Sequence, residues 1–519
     1  MNRTLLLLKA QAVNYFSLNE IFGRNSKKRN SVFITAVGIF TLLLFLGCYN
    51  VLTAITLVSI GQQDLIPAYM VAVASFIILV FTMLRSNGIL FGSRDFEMLY
   101  ALPLKDEEII ISKFGFLYLL NLALCILFMI PSGVVWLIFM EGNRILFCLY
   151  LISMPFVPLI PMCLASAAGF VITFLASRSR RKNLVSLLFS FGALGLMLGV
   201  GIYGMYGGAK NGNMGAVLVG QISRLYPLSA WFRYQDNLSP IRSVSFWLLS
   251  VLIFWGFIRI MSIRYARINS ILLLNHTASA GKTTWKRRSS FLAMYRKEFG
   301  RYTGSYLYVL NTGLGVVILL VACIAVCIIP LETLGKYAGI ENTESFFGQY
   351  APLIVAAMLS LSCPAASSVS LEGKNMWILQ SIPLPFPAFF NSKIAVTMSI
   401  HAVGYLIALP VFFIRFHLDT AQLATLIVIP VVYSVFTAVQ GICINCCFPR
   451  FDWDNEIVVI KQSMAVILSG MLGIMSTAVP ALLHWFLKLP LQIVLWGWAA
   501  ILLCTAGLLY WKTCQIKII

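Results

Sequence analysis

The chain has 519 residues, of which 60% are hydrophobic and only 11% charged, with a formal net charge of +20. A soluble domain carries roughly 25% charged residues. Half that fraction cannot cover a water-facing surface, so soluble globular, disordered and collagen-like classes are excluded. Helical spans of ~20 apolar residues fit along this length about a dozen times.

From the N-terminus, the apolar run at 5–8 is broken by Lys9, and no small-residue cleavage site follows, unlike a secretory signal. Residues from about 3 to 22 read as an amphipathic segment lying in a membrane interface. Six apolar runs follow, at about 31–56, 66–90, 113–137, 145–175, 183–207 and 244–262. Six more lie at about 306–330, 351–370, 394–414, 421–446, 462–482 and 491–511. Short alternating segments of the kind that build barrels do not occur. The expected fold is an all-α polytopic membrane protein with about 12 transmembrane helices in two parallel six-helix halves.

Orientation follows from Lys and Arg. Clusters such as Arg24 with Lys27–Arg29, Arg178 with Arg180–Lys182, and the Arg-rich stretch from Arg264 to Arg301 fall on one side under this map. The other side carries single basic residues, among them Arg144, Arg233, Lys336 and Lys488. Both termini are therefore expected in the cytoplasm of a multi-pass cell-membrane protein. The basic residues flank spans, where they fix topology and meet anionic membrane lipid, so the +20 charge gives no ground for a nucleic-acid partner. The 12 cysteines lie in apolar runs, at their ends or in the C-terminal tail, and no structural disulfide is expected.

An internal repeat connects the halves. Residues 92–113, GSRDFEMLYALPLKDEEIIISK, align without a gap on 372–393, EGKNMWILQSIPLPFPAFFNSK. Leu99 meets Leu379, Pro103-Leu104 meets Pro383-Leu384, and Ser112-Lys113 meets Ser392-Lys393. Each segment follows the second span of its half. The expected organisation is a first half over 1–262, a basic linker with an interfacial helix over 263–305, and a second half over 306–519. In that linker Leu292, Tyr295, Phe299 and Tyr302 recur at helical spacing, while Arg296, Lys297, Glu298 and Arg301 occupy the other face.

The two repeated loops are unusually apolar. Phe96, Met98, Leu99, Leu102 and Leu104 interleave with Arg94, Asp95 and Glu97, and the short helix stops at Pro103. Met376, Trp377, Ile378, Leu379 and Ile382 follow Lys374, and that helix stops at Pro383. Apolar, aromatic helix tips on a water-facing side need a cover, and a protein groove suits aromatic anchors.

Three stretches carry a resemblance: 93–103 (SRDFEMLYALP), 371–383 (LEGKNMWILQSIP) followed by Lys393, and 449–463 (PRFDWDNEIVVIKQS). With the span count and the repeat, the sequence resembles the permease subunit of ATP-binding-cassette exporters of the type-2 fold, in the fused two-half form of Gram-positive bacteria. The resemblance implies a coupling helix in each half, at about 94–103 and 373–383, docked on a separate cytoplasmic ATPase present in two copies. ATP and Mg would be bound by that partner, with no cofactor, metal or catalytic residue in this chain. Asp452, Asp454 and Glu456 would make an intracellular contact. Residues 209–243, with Tyr226, Pro227, Trp231 and Phe232, stand where such exporters have an external hairpin helix; the second half has only 483–490 there.

The remaining chemistry is sparse. HTASAGKT at 276–283 approaches a phosphate-binding loop, but His276 replaces its first Gly and no strand precedes it. The four His are scattered, and Cys443, Cys446 and Cys447 read as packing residues. His401 reads as a hydrogen-bonded packing residue within a span. Mid-membrane carboxylates, which ion-driven carriers use, are nearly lacking. Two other readings stand beside the exporter: a polytopic membrane enzyme acting on lipids through DWDNE, and a scaffold or sensor that does not transport.

Overall fold

The computed structural model describes residues 3–15, 26–89, 99, 101–139, 144–177, 182–209, 220, 226–234, 238–274, 289–330, 343–382, 385–453 and 456–515. Every regular element among these residues is helical. The chain divides into two compact units, Met1–Arg29 with Ile39–Ala280, and Asn30–Gly38 with Gly281–Ile519.

In chain order the first eight helices are α1 (Arg3–Tyr15), α2 (Ser26–Ser59), α3 (Ile66–Ile89), α4 (Asp106–Phe139), α5 (Arg144–Ser153), α6 (Leu159–Ser177), α7 (Lys182–Ala209) and α8 (Ser239–Leu274). They follow the apolar runs with one difference. The run at 145–175 is not a single span, because α5 ends at Ser153 and α6 begins at Leu159. Pro155, Pro158 and Pro161 crowd the junction, and each proline removes a backbone donor and clashes with the preceding turn. The 209–243 segment is described only in part. It contributes a 3-10 turn, Pro227–Phe232, rather than a hairpin helix over those residues. Phe232 is buried edge-on against Phe246 and Tyr234, and Tyr234 stacks on Trp136.

The second unit continues with α9 (Ser290–Gly304), α10 (Tyr306–Thr312), α11 (Leu314–Ile328), α12 (Thr343–Ser360), α13 (Ala365–Ser368), α14 (Met376–Ser381), α15 (Phe386–Arg415), α16 (Thr420–Cys447), α17 (Glu456–Gln462), α18 (Met464–Leu487) and α19 (Leu491–Gln515). Helices α10 and α11 are one apolar run bent by 57°. The bend falls at Gly313, where an added Cβ would press on the Val309 carbonyl. Gly315, two residues on, lies against the Met358 carbonyl and leaves no room for any side chain.

The run at 351–370 is also interrupted, since α12 stops at Ser360 and the chain unwinds before α13. Pro364 is the local cause: it has no N–H for the helical bond and its ring opposes the turn before it. Unwound backbone is tolerated at membrane depth only where protein surrounds it, and residues 362–373 are buried throughout.

Among the described residues nine helices are long and apolar enough to cross a membrane, and the bent pair makes a tenth. The runs at 31–56 and 183–207 fall on α2 and α7, within which Leu46–Ser59 and Asn183–Leu196 are shorter apolar stretches.

Candidate functional site: the joint beneath an exposed apolar helix

Helix α14 carries the second of the two apolar tips. Trp377 is 63% exposed, Ile378 43% and Ile382 46%. Met376 and Leu379 face the other way, packing against a core that includes Phe389, Phe390 and Ile442. The apolar set is thus split between a foot and a free face. Lys374 is exposed beside it. Of the first loop, Leu99 is buried against Ile109, Ile110 and Phe114, whereas Leu102 and Pro103 are exposed. Arg94, Asp95, Phe96, Glu97, Pro383 and Asp454 lie outside the described residues, as do the phosphate-loop-like 276–283 and the end of the 3–22 segment.

What holds α14 is a buried charge cluster. Glu372, 4% exposed, is the third residue of the 3-10 turn Ser370–Asn375 that leads into α14. Lys297 Nζ donates to both of its carboxylate oxygens at 3.0 Å, and Arg301 Nη2 donates to Oε2 at 2.9 Å. Lys393, whose side chain is fully buried, reaches Glu372 Oε1 at 3.0 Å, Glu298 Oε2 at 2.9 Å and the Ser368 carbonyl at 3.0 Å. An ammonium has three protons, and here each has an acceptor. Burial works against the Arg301 charge, but its bond to Glu372 and the charges of Glu372 and Glu298 outweigh that and hold its pKa above the ordinary guanidinium value. Burial also pushes the Tyr302 phenol up to about 12.

Two residues of α9, Glu298 and Tyr302, turn inward against the expected pattern. The row buried against α15 is Met294, Glu298 and Tyr302, one helical turn apart. Tyr302, read from sequence as part of the apolar outer face, is inside; Glu298, read as part of the polar face, is inside with it. The outward side carries Phe291 and Phe299, whose rings stack at 6.3 and 5.8 Å on the half-buried Tyr295 between them, and the Tyr295 hydroxyl bonds Ser399 on α15. A charged side chain is hidden when fixed counter-charges meet it, and Lys393 and Lys297 do so for Glu298.

Next to Glu372, Gly373 has φ +56, and a Cβ there would lie 3.0 Å from the Trp453 indole nitrogen. Trp453 in turn donates to the Ser370 carbonyl at 2.8 Å. Asn445 accepts from the Val369 and Ser370 amides and donates to the Ser370 hydroxyl. Glu456 accepts from the Ser305 hydroxyl at 3.0 Å. Trp453 and Glu456 of the DWDNE stretch thus brace the turn beneath α14 and the start of α10. Asp452 is exposed, and no group of three or more potential metal ligands converges among the described residues.

Above the cluster, one face of α15 continues the same work. Lys393, Thr397 and His401 stand one turn apart. Lys393 serves the Ser368 carbonyl, Thr397 Oγ1 accepts from the Ala365 amide, and His401 Nε2 bonds the Ser362 carbonyl. A carbonyl only accepts, so Nε2 carries the proton and the neutral ring accepts at Nδ1 from Ser434, 2.8 Å away. Tyr308 donates to the Pro364 carbonyl at 2.9 Å. The backbone groups freed by the unwinding of 361–369 are met by this row and by Asn445.

The first unit has a related pair. Asn121 on α4 donates to Thr82 on α3 at 2.8 Å, both buried. Asn121 and Thr82 precede His401 and Ser362 by the 280 residues that also separate the buried Lys113 from the buried Lys393. Sequence reading missed Glu298, Glu372, Gly373, Asn445 and Trp453 as a set, and Lys393 as its centre. The signal was available in the repeated Ser-Lys pair, since a lysine kept inside an apolar helix needs fixed acceptors.

No curated protein matches the chain at a significant level. A family model described as a membrane protein of 12 TMs matches residues 29–512. That match spans nearly the whole length, in line with the all-helical fold and its membrane-crossing helices, and the chain belongs to this family of twelve-span membrane proteins.

Proposed function

We propose that the chain is the permease subunit of an ATP-driven exporter in the bacterial cytoplasmic membrane, with both termini cytoplasmic. ATP and Mg are bound by a separate ATP-binding-cassette ATPase, in two copies per chain, and the chain itself hydrolyses nothing. The observation that carries this reading is the exposed apolar face of α14 (Trp377, Ile378 and Ile382) mounted on a buried, charge-paired ionic base. Aromatic side chains held out from a rigid support suit a protein groove. A helix that only rested on lipid would need no such base beneath it. The docking surface on this side narrows to Lys374, Trp377, Ile378 and Ile382, since Met376 and Leu379 are turned to the foot. Residues 94–103 are its counterpart in the first half, through the 280-residue repeat.

The test is affinity purification of the tagged chain from native membranes in mild detergent, with mass spectrometry. About two ATPase subunits per chain are expected. Trp377→Asp with Ile378→Asp, which changes only exposed positions, should lower ATPase recovery at least about tenfold without moving the chain's own melting temperature. Recovery of the wild-type chain alone across several mild detergents overturns the reading.

A further inference from the structure

We infer that Glu372 is a positioning residue. It links the interfacial helix α9 and the base of α15 to the α14 tip, so that the three move as one lever arm. The inference rests on the docking role proposed for α14, and its physical basis is independent of that role. Glu372 receives Lys297 and Arg301 from α9 and Lys393 from α15 on its two carboxylate oxygens. It is followed at once by Gly373, whose backbone conformation a side chain rarely adopts and whose α-carbon is roofed by Trp453. One carboxylate therefore connects two helices to the last turn before the tip, and the next residue fixes the direction in which the tip leaves.

A cluster needed only for cohesion could bond any buried backbone group. This one is placed on the turn that leads into α14. The balance of charge supports a linkage as well. Three cations meet two carboxylates; Glu372 holds all three at 2.9–3.0 Å, whereas Glu298 is close only to Lys393, at 2.9 Å, and stands 3.6 and 3.8 Å from Lys297 and Arg301. Neutralising Glu372 leaves Lys297, Arg301 and Lys393 sharing Glu298, so the direct Glu298–Lys393 contact between α9 and α15 carries an excess of positive charge and the turn before α14 loses its ionic tie to both helices.

The experiment compares the full-length wild-type chain with Glu372→Gln and with Glu372→Gln/Lys393→Met, in nanodiscs of phosphatidylethanolamine and phosphatidylglycerol. Hydrogen exchange followed by mass spectrometry is one readout, and ATPase recovery from native membranes is the other. Glu372→Gln should speed exchange at least about tenfold in both 290–304 and 369–382, while 420–447 keeps its wild-type rate. The double variant removes one charge of each sign. It should restore the melting temperature but leave 369–382 fast and ATPase recovery low, because the bridging carboxylate is still missing.

Wild-type exchange at 290–304 in Glu372→Gln overturns the linkage, as does wild-type protection of 369–382 in the stable double variant. Faster exchange spread equally over 420–447 assigns the cluster to general cohesion and also overturns it. If the wild-type chain recovers no ATPase, the docking role falls by itself, and the exchange readout still decides the linkage.

Discussion

Lys393 shows how a single side chain can be safe inside an apolar helix. Its ammonium has lost its water, and each of its protons has found a protein acceptor instead, with the Phe389 ring 4.7 Å away on another side. Lys393→Met alone leaves Glu298 and Glu372 without the one fully buried cation of the cluster. It should destabilise the protein by about 3–5 kcal/mol, read as a fall in melting temperature in nanodiscs. Gly373 makes a separate claim at the same scale. Gly373→Ala forces a Cβ toward the Trp453 indole in a backbone conformation that costs an L residue about 1–3 kcal/mol. The expected result is lower ATPase recovery with little change in exchange over 420–447. His401 offers a graded test. His401→Leu strands the Ser362 carbonyl and the Ser434 hydroxyl, at a cost of about 1–3 kcal/mol. His401→Asn keeps a donor of the kind that Asn121 supplies to Thr82, and thermal melts should show it losing less than His401→Leu.

At the level of elements, hydrophobic runs located the helices well because burying or inserting a long apolar stretch leaves few alternatives to a helix. They could not locate the interruptions. The runs at 145–175 and 351–370 are apolar from end to end, and hydropathy does not register a missing N–H. Pro155, Pro158 and Pro364 lie at the breaks, but Pro131, Pro352, Pro410, Pro430 and Pro480 lie inside continuous helices, so proline alone does not locate the breaks either. The faces of α9 were misread for a different reason. Sequence pattern treats charge as a mark of solvent, but Glu298 faces inward because its partner comes from a helix about a hundred positions away, and no local pattern contains that partner. Helix contact supplies a further test. Gly315 lies on the backbone of the neighbouring helix at Met358, so Gly315→Ala must separate α11 from α12, at about 1–3 kcal/mol. Gly497 on α19 has open space around it, and Gly497→Ala should leave the melting temperature unchanged.

For the whole molecule, composition alone was enough to assign a polytopic membrane protein, because so few charges cannot clothe a soluble surface of this size. The site beneath α14 was half legible. The exposed aromatic tip could be read from a short loop, whereas its base draws on α9, α15, α16 and the stretch before α17, which only folding brings together. The 280-residue offset could have gone further, since it pairs Asn121 with His401 and Thr82 with Ser362 as well as the loops. That same pairing exposes a difference in stiffness. Helix α3 runs unbroken through Thr82 from Ile66 to Ile89, while its counterpart stops at Ser360, and the matched Ser362 lies in the break, its carbonyl held by His401. One half thus has a plain rod behind its second loop and the other a rod with a knee. If both second loops were pushed at once, as the proposed docking role requires, the first rod would carry the push straight and the second could spend it on a change of angle, giving an unequal stroke.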